Sequence, residues 1–73
     1  MTLSLEELKE AVAEDFARFC AMGFTAGQIL PAVLEEYRHG EGFGEEERTW
    51  ILRLLAALYR ERGLPLPEDL RGF

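Results

Sequence analysis

The chain has no Asn, one Gln (Gln28), one Ser (Ser4), one His (His39), one Cys (Cys20) and one Lys (Lys9) among its 73 residues. Side chains that position substrates are therefore scarce. A single cysteine excludes an intramolecular disulfide, and one Cys with one His cannot complete a mononuclear zinc site of the usual Cys/His kind. No uninterrupted apolar stretch approaches the roughly 20 residues of a membrane span. The longest candidate, Trp50 to Tyr59, carries Arg53 inside it. The N-terminus has acids where a secretory signal has a basic start, with no long apolar run behind it. A cytoplasmic protein with no membrane partner is expected.

What is present is acidic and apolar. Eight Lys+Arg stand against 14 Asp+Glu, a net charge of −6, and 48% of the residues are hydrophobic. That balance repels phosphate backbones, so nucleic acid is the disfavoured partner. The excess of Glu and Arg over thermolabile residues suits a thermophilic source, although GC-rich codon usage biases composition the same way. A chain of this length buries only about 60% of the surface its unfolded form exposes, so a single modest core is expected, with a role for a partner chain.

Three helices are written into the sequence with their ends. Ser4-Leu5-Glu6-Glu7 is a capping box, with Leu3 and Leu8 placed as a hydrophobic staple, and Leu5, Leu8, Val12, Phe16, Phe19 and Cys20 follow at helical spacing. The first helix is expected over about 5–22. Gly23 suits the left-handed ending position, and Phe24 folds back onto Phe19. Thr25-Ala26-Gly27-Gln28 is a second capping box opening a helix over about 26–39, stapled by Phe24 and Ile29. Pro31 lies too deep for a first-turn proline: either that helix kinks, or its regular part starts near Leu30. His39 to Gly44, with three glycines, reads as a loop. Glu45, Glu46 and Glu47 then match the positive end of a helix dipole, and Arg60 and Arg62 match the negative end, giving a third helix over about 45–62. Gly63-Leu64 repeats the first helix's ending, and Pro65 and Pro67 forbid continuation. The fold expected for residues 1–73 is all-α, a compact three-helix bundle with a tail over 64–73 laid across it and a short turn at Pro67 to Leu70.

The third helix carries more apolar surface than such a bundle requires. Trp50, Ile51, Leu52, Leu54, Leu55, Leu58 and Tyr59 sweep roughly 200° of its circumference, leaving Thr49, Arg53, Ala56 and Arg60 on the polar side. Either the tail residues Leu64, Leu66, Leu70 and Phe73 cover the excess, or another chain does. The sequence favours a homodimer through this helix, with Trp50, Leu54 and Tyr59 near the contact and Phe43 and Phe73 at its rim.

Signs of chemistry are thin. Glu36-x-x-His39 has the spacing used in carboxylate-bridged di-metal bundles, but one copy on the polar side of a helix needs a dimer and further carboxylates to make a site. Cys20, among apolar neighbours, reads as a small core residue; as a nucleophile it would need His39 as base from another helix, with no orienting third residue. The helix–loop–helix from 26 to 62 offers a helix-turn-helix reading with Arg48, Arg53, Arg60 and Arg62. Its loop of about five residues is long for that motif, and three glutamates would point at the DNA.

Met22-Gly23-Phe24-Thr25 between two helices resembles the Met-Gly-Phe loop of ubiquitin-associated domains, and Leu54-Leu55 stands roughly where their third helix carries a leucine pair. The resemblance covers about half the chain and implies that loop and leucines form a partner-binding patch. The second helix and the glycine loop are longer here, Pro31 interrupts the pattern, and capping alone explains the loop, so the family function is not carried over. The reading is a small non-enzymatic interaction module or regulator, with no catalytic residues, metal or cofactor, whose partner is protein, either itself or another chain. A DNA-binding regulator and a dimeric metal bundle are the alternatives.

Overall fold

The computed structural model describes residues 4–38 and 44–73. They form α1 (Leu5–Ala21), α2 (Ala26–Arg38) and α3 (Glu45–Arg62), followed by a short 3₁₀ turn at Glu68–Leu70. The all-α three-helix bundle with a packed tail is what the sequence leads one to expect. The staple residue Leu3, with His39 and Phe43, lies outside the described residues.

Each helix end uses the chemistry its residues dictate. At α1 the Glu7 backbone N–H donates to Ser4 Oγ at 3.2 Å, and the Ser4 hydroxyl donates to the Glu7 carboxylate at 3.1 Å. Ser4→Ala is therefore expected to cost about 1 kcal/mol, measured by urea denaturation; an unchanged midpoint would show that the cap contributes nothing. At the other end Gly23 takes φ 88°, a left-handed conformation that lets its N–H reach the Cys20 carbonyl at 3.1 Å while Phe24 N–H reaches Phe19 at 3.1 Å. The Phe19 and Phe24 rings stack at 4.9 Å. The same ending closes α3, where Gly63 has φ 67° and Leu64 N–H donates to the Tyr59 carbonyl at 2.9 Å. The second capping box is realised through Gln28, whose side-chain oxygen accepts from Thr25 N–H at 2.9 Å. Glu47 likewise reaches back to Gly44 N–H at 2.9 Å.

The core is one cluster. α1 contributes Leu8, Val12, Phe16 and Phe19, α2 contributes Ile29, Leu30 and Val33, and α3 contributes Ile51, Leu52, Leu55, Ala56 and Tyr59. The tail adds Leu70, which has no exposed surface, with Leu64, Leu66 and Phe73 half-buried beside it. Arg60 donates to the Phe73 carbonyl, which ties the end of the chain to α3. Part of the apolar arc of α3 is thus covered by the chain's own tail.

One expectation needs correction. Ala56 is wholly buried rather than on the polar side of α3. The buried arc includes Leu52, Ala56 and Tyr59, residues four and three apart, so it is rotated away from Trp50. Helix α2 starts where its capping box sets it and runs from Ala26 to Arg38 with Pro31 inside it, so of the two readings of Pro31 the later start near Leu30 does not hold. Proline has no N–H, so the Gly27 carbonyl loses its ladder partner, and the turn just before it is held from outside. The Tyr59 hydroxyl accepts from Leu30 N–H at 3.1 Å and donates to the Ala26 carbonyl.

Candidate functional site

The rotation of α3 leaves a specific part of its apolar arc outside the core. Trp50 retains 36% of its surface, Ala57 is exposed, and Leu54 and Leu58 are half-buried. On a helix these four share one side: at about 100° per residue, steps of four and seven from Trp50 bring Leu54 and Ala57 close to its angle, and a step of eight sets Leu58 at the edge of the same side. The Arg53 guanidinium lies 5.3 Å from the Trp50 ring centroid, a cation–π contact that shields one ring face and holds the indole against its own helix. The other large exposed apolar side chains, Leu5 and Met22, stand at opposite ends of α1. Scattered single residues of this kind are ordinary on a protein surface, whereas a row on one helix is not.

Of the five residues expected at a contact, Trp50 and Leu54 lie together on this outer face. Phe73 is half-buried in the tail, and Phe43 falls outside the described residues. Tyr59 is displaced from the group: it has no exposed surface, its ring meets Phe16 edge-on at 5.5 Å, and its hydroxyl is engaged with α2. A side chain so placed serves the core and cannot touch a second molecule. Ala57 is the residue that sequence reasoning missed. Its signal was the seven-residue step from Trp50.

The polar clusters are interhelical braces. Arg18 on α1 is 3.1 Å from Asp15 and 3.0 Å from Glu36 on α2, and the Tyr37 hydroxyl hydrogen-bonds Asp15. Burial raises the ionisation range of Tyr37, the Asp15 carboxylate and Glu36 raise it further, and Arg18 partly offsets them. Tyr37 stays protonated and donates to a carboxylate, an arrangement that fixes α1 against α2. Glu36 is therefore committed to Arg18. Among the described residues no group of three or more His, Cys, Asp and Glu is arranged to hold a metal ion.

Cys20 is half-buried against the core cluster, as expected of a small apolar residue. A shallow open groove of about 350 Å³ lies between α2 and α3, lined by Pro31, Leu34, Glu35, Arg38 and Arg48, with Glu35 paired to Arg38 at 3.5 Å. Its apolar floor and charged rim suit contact with another surface better than they suit chemistry, since none of its lining side chains is a nucleophile with an adjacent base.

No helix among the described residues is long and apolar enough to cross a membrane. No protein-family model, curated protein or solved structure matches the chain.

Proposed function

We propose that this chain is a non-enzymatic helical interaction module that acts by packing the outer face of α3 against protein, self-association being its simplest form. The observation that supports this is Trp50. An indole with 36% of its surface exposed, on one side of α3 with Leu54 and Ala57, costs hydration free energy in an isolated chain and regains it on contact. Trp is also the residue that most often dominates the centre of an interface. The tail packs Leu70 into the core and leaves Trp50 with 36% of its surface exposed, so its cover does not take the place of a partner's at Trp50.

The charge at the start of α3 weighs against reading the helix as one that enters a DNA groove. Glu45, Glu46 and Glu47 fill its first turn, the part of a recognition helix that approaches bases and phosphates.

Sedimentation equilibrium at about 100 μM is the test, a concentration at which even a small interface should be substantially occupied. The expected result is a mass above 8.3 kDa that Trp50→Ala returns to the monomer, with association weakened roughly 30-fold or more. A wild-type chain that sediments as a monomer at that concentration, with unchanged behaviour in the Trp50→Ala variant, contradicts self-association.

A further inference from the structure

Counted in sevens, the outer side of α3 falls into rows. Trp50 and Ala57 share one, Glu47, Leu54 and Glu61 the next, and Glu46, Arg53 and Arg60 form a third that flanks the first. All three residues of the flanking row are exposed, and Glu46 enters no ion pair among the described residues. The row on the other flank holds Ile51, wholly buried, and Leu58, half-buried.

From this pattern we infer that the occupant of the outer face is a second copy of the chain, with the two α3 helices antiparallel about a two-fold axis close to Arg53. The inference rests on the reading of α3 as a contact surface and names the partner. Two orientations are open to a symmetric helix pair, and the flanking rows decide between them. In a parallel pair each flank faces the opposite flank of the other chain, so Glu46, Arg53 and Arg60 would lie against Ile51 and Leu58 and find no charge. In an antiparallel pair each flank faces itself reversed. Glu46 then meets Arg60 of the second copy, and two-fold symmetry makes that pair twice.

The two central rows fit the same register. Trp50 of each chain lies across from Leu54 of the other, and Ala57, with no bulk, leaves room for Glu47 of the other copy, whose carboxylate is already bonded to the Gly44 N–H of its own helix. Arg53 would meet its own copy near the axis, a like-charge encounter. Its guanidinium is already held over the Trp50 ring of its own helix, three residues toward the start of α3, and in an antiparallel pair that displaces the two guanidinium groups in opposite directions along the axis. Arg60 already donates to the Phe73 carbonyl, but a guanidinium has five N–H donors and can serve both partners. α3 is 18 residues long, about 27 Å at 1.5 Å per residue. A contact along one face of it belongs to the small class of interfaces, below about 1,200 Å², so a dissociation constant on the order of 10 μM is expected.

Charge reversal tests the orientation. Glu46→Arg alone turns two attractive pairs into two repulsive ones and is expected to weaken the dimer about tenfold, as is Arg60→Glu alone. The double reversal E46R/R60E restores the pairs in the opposite sense and is expected to return within about threefold of wild type. Arg60→Glu also breaks the bond to Phe73, so E46R, which touches nothing in the tail, carries the orientation by itself; circular dichroism checks that each variant is folded. A wild-type dimer whose affinity is unmoved by E46R overturns the antiparallel pairing and leaves the contact face standing. A wild-type chain that is monomeric at about 100 μM overturns both.

Discussion

Leu70→Ala is expected to lower the unfolding free energy by about 2–5 kcal/mol, the range for emptying a buried leucine site. Deleting residues 65–73 is expected to unfold the chain. Leu70 has no exposed surface and sits in the core cluster with side chains of all three helices. The tail reaches it by a route with little freedom: Pro65 and Pro67 fix two backbone angles, Leu70 N–H closes on the Pro67 carbonyl at 2.9 Å, and Arg60 holds the carbonyl of Phe73. Total stability at roughly 0.05–0.15 kcal/mol per residue leaves a chain of this size little reserve, so one such cavity removes a large fraction of it. Urea denaturation followed by far-ultraviolet circular dichroism reads the effect. A truncated chain that keeps its helical signal and its midpoint would remove the tail from the core. The same experiment separates the two covers of α3, because loss of the tail unfolds the protein whereas loss of Trp50 changes its association.

The helices were legible because their signals are local. Ser4, Gly23 and Gly63 each act on backbone groups within one turn, so a short window of sequence contains both the cause and its effect. The rotation of α3 was not legible in that way. A 200° apolar arc states that much of the helix avoids water, but which part faces inward depends on where α1, α2 and the tail lie, and that is a long-range matter. Ala56 shows this: a small side chain is compatible with either side, and packing decides. Tyr59 belongs to that apolar arc, and the arc alone does not say whether its ring faces the core or a second chain. The partner of its hydroxyl lies on α2, 29 residues away at Leu30, and nothing near Tyr59 in sequence points to it. The hint was on the other helix, where Pro31 inside a helical pattern implies that something outside the helix holds the preceding turn. Trp50 and Leu54 were read correctly as neighbours on one face, since a four-residue step needs only the helix itself.

Tyr59→Phe is expected to destabilise the fold by about 1–3 kcal/mol while leaving the shape of the core intact. The ring remains to pack on Phe16, so almost no apolar volume is lost and the effect isolates one oxygen. The proton positions are forced: Leu30 N–H can only donate and the Ala26 carbonyl can only accept, so the hydroxyl accepts from the first and donates to the second. Removing it takes a partner from each group in the turn before Pro31, where the backbone ladder is already one bond short. The cost therefore falls on α2, and hydrogen exchange is expected to speed most at the amides of Leu30 and its neighbours. The pH dependence has a fixed sign. Burial raises the ionisation range of Tyr59 above its ordinary 10.0, Leu30 N–H partly offsets this, and Cys20 adds to the rise. The folded state thus holds its phenol proton more tightly than the unfolded state, so the advantage of wild type over Y59F is complete below pH 10 and shrinks as pH rises beyond it. A variant as stable as wild type at neutral pH would show that the hydroxyl does not hold α2.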